Sequence, residues 1–136
     1  MSNIREFFDA YGEASTAGNE KKIASFYAES FVVAASEESR AFKNDEEFLE
    51  WLRSVHEYNK QTGLLQMIVR NVKENPLGRH ATHASITWGA SYEKTGDEVI
   101  EFTIHYILQR RGPKLKIILY SSEEDQAETM KKKGLL

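Results

Sequence analysis

Apolar residues near the start of the chain recur at intervals of three and four positions, which is the spacing of an amphipathic helix. The residues on this apolar face are Ile4, Phe7, Phe8, Tyr11 and Ala14. Gly18 follows them as a typical helix-ending residue, and Asn19 is suited to cap a second, short helix. The buried side of that second helix is predicted to carry Ile23, Phe26 and Tyr27.

The segment that follows is short and rich in residues that favour strands. Residues 31–35, Phe-Val-Val-Ala-Ala, are therefore predicted to form a strand. A third helix is predicted to begin at Asn44, with Glu47 in a capping-box position, and to end at Gly63. The apolar stripe of this helix consists of Phe48, Trp51, Leu52 and Val55.

From Leu64 onward the pattern changes from helical spacing to alternation. Four strands are predicted, over residues 64–72, 79–93, 98–110 and 114–121. Short turns that contain glycine separate them, so we expect an antiparallel meander. In the second of these strands the even-numbered positions are predicted to share one face, and Gly89 is predicted to provide a bend. A last helix is predicted to follow Ser122.

The composition narrows the classes of protein to consider. A chain of 136 residues is expected to form one domain, residues 1–136. It contains no cysteine, which excludes disulfides and thiolate chemistry and favours a cytoplasmic location. The net charge is −3 and the basic residues are scattered, so we expect no nucleic-acid partner. The longest apolar runs are too short to cross a bilayer, so we expect no membrane partner.

Two segments resemble a known superfamily. Residues 10–31 contain Ala-Tyr-Gly-Glu, then Ala-Gly-Asn, then Phe-Tyr-Ala-Glu-Ser-Phe, and residues 112–123 end in Tyr-Ser-Ser-Glu. Their order and spacing are similar to the opening and the last hairpin of nuclear-transport-factor-2-like proteins, including the SnoaL-like and ketosteroid-isomerase-like proteins. The resemblance implies an α+β fold, in which a cone-shaped, curved antiparallel sheet is closed by N-terminal helices over a pocket. It also implies a homodimer that pairs through the sheet.

The same resemblance raises the question of catalysis. In the steroid isomerases of the superfamily, a tyrosine and a protonated acid hold the developing enolate while an aspartate removes a proton. Tyr11 matches the tyrosine, but the position of the base falls at Ala35, and the second acid falls near Ile104 or His105. Because alanine cannot accept a proton, the sequence argues against this isomerisation. His105 is the best remaining acid or base, with Tyr11 as its oxyanion donor, if it faces the pocket.

The other histidines provide no clear metal site. His80 and His83 are three residues apart in a predicted strand, so they point to opposite faces and cannot chelate one ion together. His56 is predicted to lie at the surface of the third helix. Further ligands at a suitable spacing are lacking, so no metal is predicted. Phosphate-loop and dinucleotide fingerprints are also absent, and no cofactor is predicted.

Three hypotheses therefore remain open. The first is a pocket that binds a small apolar or aromatic molecule, and its predicted lining is Tyr11, Tyr27, Phe31, Trp51, Val55, Trp88, His105 and Tyr120. The second is an isomerase, cyclase or dehydratase that uses His105 and Tyr11. The third is a scaffold in which the sheet serves only association. The fold alone does not choose among them.

Overall fold

The computed structural model of the chain describes residues 4–34 and 38–123. The helices are α1 (Ile4–Ala17), α2 (Glu20–Ser25) and α3 (Glu46–Thr62). The strands are β1 (Tyr27–Ala34), β2 (Ser39–Lys43), β3 (Leu64–Pro76), β4 (Ala81–Tyr92), β5 (Val99–Arg111) and β6 (Lys114–Ser122). One sheet contains all six strands and is curved and unclosed, which confirms the predicted α+β class.

Local signals in the sequence define most helix ends. Gly18 follows α1 with a positive φ of 69°, and Gly63 ends α3 in the left-handed region with a φ of 80°. The Asn19 side chain accepts a hydrogen bond from the Lys22 backbone N–H at 3.2 Å, as a cap does. The predicted cap of α3 is wrong by one residue, because the Asp45 carboxylate, rather than Asn44, accepts from a backbone N–H of the first turn.

The strand order is β2-β1-β6-β5-β4-β3, so β2 and β3 form the two edges. The meander from β3 to β6 is antiparallel, as predicted, but β1 pairs with β6 in parallel. Tyr27 belongs to β1 and pairs with Ile117, so the prediction that it lies on the buried side of the second helix is wrong. The sequence analysis also missed β2, whose side chains are mostly exposed and which forms by pairing with β1.

Alternation along the strands separates an inner face of the sheet from an outer face. Alternate residues through the middle of β4 and β5 are buried, and these inner residues are Ala84, Ile86, Trp88, Ala90, Tyr92, Ile100, Phe102, Ile104, Tyr106 and Leu108. The rings of Trp88 and Tyr106 pack against Phe8 of α1. The residues between them belong to the outer face and, apart from Gly89, are at least partly exposed. The even-numbered positions of β4 therefore do share one face, as the pattern predicts.

The edge strand β3 is protected by α1 at its centre. The Thr16 hydroxyl accepts a hydrogen bond from the Met67 backbone N–H at 3.0 Å, and the Arg5 guanidinium donates to the Val69 carbonyl at 3.3 Å. These side chains form hydrogen bonds with backbone groups that could otherwise pair with another strand. The helix thus both caps the inner face and blocks part of the open edge.

Gly89 does not bend the sheet through a bulge, because β4 pairs with β5 without interruption at this residue. The irregularity lies across from it, in β3, between Val69 and Asn71. A Cβ at Gly89 would lie 2.8 Å from Arg70, whose guanidinium reaches Glu101 at 3.2 Å. The glycine therefore leaves room for this ion pair on the outer face.

The last helix predicted from the sequence lies outside the described residues. Ser122, its predicted cap, instead ends β6 and pairs with Ile104. Across residues 4–34 and 38–123, no helix has the length and apolar character needed to span a membrane.

Candidate functional site

A cavity of about 510 Å³ lies between the inner face of the sheet and the helices α1 and α3. Six of the eight residues that the sequence predicts to line a pocket border this cavity: Tyr11, Tyr27, Phe31, Trp51, Val55 and Tyr120. Trp51 is 46% exposed at the rim, where it packs beside Phe48 with ring centroids 6.1 Å apart. The cavity therefore extends from a solvent-facing rim on α3 to the buried aromatic side chains of α1 and the sheet.

The most buried polar groups of the cavity are tyrosine hydroxyls. The Tyr11 and Tyr27 oxygens lie 2.7 Å apart, so one hydroxyl donates a hydrogen bond to the other. Tyr106 accepts a hydrogen bond from the Trp88 indole at 3.2 Å, and its ring meets that of Tyr120 edge to face. The four tyrosines therefore bring several hydroxyls into an otherwise aromatic and aliphatic wall.

Burial favours the neutral form of the Tyr11, Tyr27, Tyr92 and Tyr106 hydroxyls. Loss of hydration raises the pKa of Tyr11, Tyr27 and Tyr106 well above the ordinary value, and it raises the pKa of Tyr92 to about 12. A neutral phenol donates one hydrogen bond and accepts others, but it does not remove a proton from a weak carbon acid at neutral pH. The cluster is thus equipped to orient an oxygen atom of a bound molecule.

The rim of the cavity is polar. Its polar side chains include Ser15, Ser54, His56, Tyr58 and Asn59, and none of the described lining residues is Asp, Glu, Lys or Arg. His56 was predicted at the surface, yet it is half-buried, and its ring packs against Gly18. Its position four residues after Leu52 on α3 is a signal from which this placement could have been predicted.

Two predicted lining residues do not border the cavity. Trp88 is fully buried behind the wall, with its ring 5.8 Å from that of Tyr11, and so it supports the lining tyrosines. His105 lies on the outer face of β5, since its neighbours Ile104 and Tyr106 point inward. The prediction that His105 faces the pocket is therefore wrong, and it cannot act together with Tyr11 on a molecule in the cavity.

His105 instead belongs to a line of hydrogen bonds across the outer face. Its Nδ1 lies 2.7 Å from Nε2 of His83, and its Nε2 contacts the Glu123 carboxylate. The other nitrogen of His83, Nδ1, lies 3.2 Å from the Asn75 amide nitrogen. A chain of contacts through four side chains thus runs from Asn75 of β3 through β4 and β5 to Glu123, the residue after β6.

The arrangement contains no evident acid and base couple inside the cavity, as far as residues 4–34 and 38–123 describe it. Ala35, the position that matches the base of the steroid isomerases, lies outside the described residues. Within the same ranges, no three His, Cys, Asp or Glu side chains converge to hold a metal ion. The geometry of the described residues supports binding and orientation of a molecule more directly than it supports a reaction.

Comparison with known proteins agrees with this fold. A family model described as NTF2-like protein (DUF6841) matches residues 2–125. No curated protein matches the chain.

Solved structures give similar matches. An NTF2-like protein from Novosphingobium aromaticivorans with a cystatin-like fold is 13% identical, with a TM-score of 0.69 over 98% of this chain and 86% of that one. An NTF2-like protein of unknown function from Shewanella oneidensis is 13% identical, with a TM-score of 0.66 over 88% and 94%. A putative calcium/calmodulin-dependent protein kinase II association domain from Xanthomonas campestris is 18% identical, with a TM-score of 0.62 over 90% and 87%. At these identities the likeness shows the fold alone.

Proposed function

The chain belongs to the NTF2-like protein family (DUF6841), and we propose that it binds a small, uncharged ring compound in the cavity under α1 and α3. The compound has a mainly apolar body and at least one oxygen that can hydrogen-bond. The observation that carries this proposal is the Tyr11–Tyr27 hydroxyl pair, which lies in the buried part of an otherwise apolar wall. Sites for small molecules typically combine such an apolar lining with a few polar groups.

The size of the cavity agrees with a ligand of two or three fused rings. Its volume of about 510 Å³ falls within the range of about 300–1,000 Å³ that is typical of small-molecule sites. Aromatic side chains such as Phe31 and Trp51 offer faces against which a flat ring can stack. A flat, rigid molecule also loses little conformational entropy when it binds.

The electrostatics of the wall favour a neutral ligand. Burial of an ionised group without a partner is costly, and none of the described lining residues is a Lys or Arg that would compensate an anion. The raised pKa values of Tyr11 and Tyr27 report the same penalty for charge. A phenol, a ketone or an alcohol therefore fits better than a carboxylate.

A thermal-shift comparison of three matched compounds tests this proposal. The compounds are naphthalene, 2-naphthol and 2-naphthoate, which share a ring system and differ in the oxygen group. A compound that binds the native state raises the melting temperature by linkage. We expect 2-naphthol to raise it most, because 2-naphthol is uncharged and its hydroxyl can hydrogen-bond to the Tyr11–Tyr27 pair. No shift with 2-naphthol, or a larger shift with 2-naphthoate, would contradict the proposal.

Two variants connect the shift to the cavity. Tyr11→Phe removes one donor of the hydroxyl pair and should reduce the extra shift of 2-naphthol over naphthalene. His105→Ala alters the outer face and should leave all three shifts unchanged. If both variants lose the extra shift of 2-naphthol over naphthalene to the same extent, the compound does not bind beside Tyr11.

The other two functions considered from the sequence have less support. An isomerase, cyclase or dehydratase that pairs His105 with Tyr11 is not supported, since Tyr11 of α1 borders the cavity on the inner side of the sheet and His105 lies on the outer face. A pure scaffold would leave a solid interior, whereas a cavity of about 510 Å³ lies behind the helices. Ligand binding is therefore the function that we carry forward.

The expected assembly is a homodimer that pairs through the outer face of the sheet. This face carries partly exposed apolar side chains, including Ile107 and Leu119, which are paired across β5 and β6. Light scattering coupled to gel filtration should give twice the mass of one chain for the unmodified protein. For Ile107→Lys it should give the mass of a single chain. A monomer in the unmodified protein would contradict this assembly. The cytoplasmic location stays a prediction.

A further inference from the structure

His83 and His105 meet diagonally across β4 and β5. His83 pairs with Ile107 and His105 pairs with Ser85, so the two histidines are two positions out of register on the same outer face. Their nearest nitrogens, Nε2 of His83 and Nδ1 of His105, lie 2.7 Å apart, and the ring planes are 20° apart. This separation is shorter than the spacing of stacked rings, so the imidazoles meet edge to edge and their nitrogens point at each other.

The far nitrogens of the two rings are already occupied. With Glu123 ionised and His105 neutral, Nε2 of His105 donates to the carboxylate and its Nδ1 presents a lone pair. His83 then donates from Nε2 to that lone pair, and its Nδ1 faces the Asn75 amide. A carboxylate behind an imidazole is the usual support of a metal-ligating histidine, because it fixes the ring and makes the free nitrogen more basic.

We propose that Nε2 of His83 and Nδ1 of His105 form a two-nitrogen site for a first-row divalent cation that favours imidazole. Cu²⁺ and Ni²⁺ are the best candidates, Zn²⁺ follows, and water fills the remaining positions. The cation takes the place of the proton that the two nitrogens share. The proton that His83 carried on Nε2 moves to its Nδ1, and the Asn75 amide oxygen accepts a hydrogen bond from it after a rotation that exchanges the amide oxygen and nitrogen.

The distance between the nitrogens decides which cations fit. With metal–nitrogen bonds of about 2.0 Å, two neighbouring ligands of a square-planar ion lie about 2.8 Å apart, and those of a tetrahedral ion about 3.3 Å apart. The observed 2.7 Å is close to the first value. Each ring has to turn by roughly 45° to aim its lone pair at one shared ion, and the room for this turn lies toward solvent, since the His105 side chain is partly exposed.

The charges around the pair act in opposite directions. Glu123 contributes a negative charge behind His105. Lys73 on β3 pairs with Ser85, beside the histidines on the same face, and its positive charge weakens cation binding. Because the described residues supply only two ligands, we expect binding that is reversible and much weaker than that of a four-ligand zinc site.

Isothermal titration of the intact protein with NiCl₂ and CuCl₂ tests the site, with MgCl₂ as a cation that prefers oxygen ligands. We expect saturable binding of Ni²⁺ and Cu²⁺ and none of Mg²⁺. His83→Ala and His105→Ala should each abolish the saturable binding. His80→Ala is the matched control, because His80 is exposed next to β4 and outside the pair, and it should bind as the unmodified protein does.

Glu123→Gln provides a second and milder variant, since it keeps the shape of the side chain and removes its charge. We expect this change to weaken the cation about 10- to 100-fold, as loss of a supporting group usually does. Circular dichroism confirms that each variant is folded. Absence of saturable Ni²⁺ and Cu²⁺ binding, or binding that survives both His83→Ala and His105→Ala, would overturn the proposal and leave the proposed ligand cavity unaffected.

Discussion

His105 and Tyr106 are adjacent on β5, yet their side chains lie on opposite faces of the sheet. Tyr106 is fully buried, and its ring centroid lies 6.0 Å from that of Tyr11 at the cavity wall. His105 lies outside and shares a hydrogen bond with His83. This single step along the strand separates the candidate ligand site from the candidate cation site.

The Tyr11–Tyr27 hydrogen bond should show strong coupling in a double-mutant cycle. Tyr11→Phe or Tyr27→Phe alone leaves one buried hydroxyl without this partner, so each should lower the free energy of unfolding by about 1–3 kcal/mol. The double variant loses both hydroxyls together and should cost less than the sum of the two. Urea denaturation of the four proteins measures the coupling. Additive losses would show that the two hydroxyls do not stabilise each other.

Stability should fall at alkaline pH because of the buried tyrosines. An unfolded tyrosine ionises near its ordinary pKa of 10.0, whereas burial raises the pKa of Tyr11, Tyr27 and Tyr106 in the folded protein. The unfolded state therefore releases protons first, and the free energy of unfolding decreases as pH rises above about 10.

Melting temperatures measured from about pH 8 to about pH 11.5 test this dependence. The decrease should be shallower in the Tyr11→Phe, Tyr27→Phe double variant than in the unmodified protein, because two tyrosines whose pKa is raised in the folded state are removed. Lysines titrate in the same range in both proteins and so do not account for the difference. Identical slopes would contradict the role assigned to burial.

Gly18 is required both by its backbone conformation and by the His56 ring. Its φ is 69°, and a Cβ there would overlap the ring of His56. Gly112 has a similar φ of 59°, but a Cβ added there would meet nothing within 4 Å. Gly112→Ala therefore measures the backbone cost alone, about 1 kcal/mol. We expect Gly18→Ala to destabilise the protein more than Gly112→Ala does.

A second substitution separates the two costs at this position. His56→Ala should recover the difference when it is added to Gly18→Ala, because the overlap is removed while the backbone cost stays. Chemical denaturation of the unmodified protein, Gly18→Ala, His56→Ala and the double variant gives the four free energies of unfolding that the comparison needs. If Gly18→Ala costs no more than Gly112→Ala, then His56 does not pack against the end of α1 as described.

Asn44 should be sensitive to loss of its amide rather than to loss of a helix cap. Its Nδ2 donates to the Ala24 carbonyl at 2.7 Å and to the Tyr27 carbonyl at 3.1 Å, and so ties the start of α3 to α2 and β1. Asn44→Asp keeps the shape but cannot donate, so we expect a loss of about 1–3 kcal/mol. Asp45→Asn keeps a capping oxygen and should cost little. A larger loss of stability for Asp45→Asn than for Asn44→Asp in thermal denaturation would contradict this role of the Asn44 amide.

Features that depend on neighbouring residues in the chain could be predicted from the sequence. The ends of α1 and α3 follow from Gly18 and Gly63, and the inner face of β4 follows from its alternation. Strand β2 could not be predicted, because its residues are mostly exposed and its pairing with β1 is the main signal for it. The parallel pairing of β1 with β6 is likewise a contact between distant segments.

The candidate site was predicted in part for a similar reason. Tyr11, Tyr27 and Trp51 border the cavity as expected, since large aromatics on helix faces and inner strands point toward it. The orientation of β5 was ambiguous because apolar residues occur on both of its faces, and this led to the wrong placement of His105. The pairing of His105 with His83 depends on strand register, which the spacing of histidines along one strand does not reveal.

The proposed binding in the cavity is tested most directly by an NMR titration with 2-naphthol that detects contacts between the ligand ring and protein methyl groups. We expect contacts to Val33, Val55 and Ile104, which border the cavity. We expect none to Ile107 and Leu119 on the outer face. Contacts that fall only on the outer methyl groups, or the absence of any contact at saturating 2-naphthol, would contradict binding in the cavity.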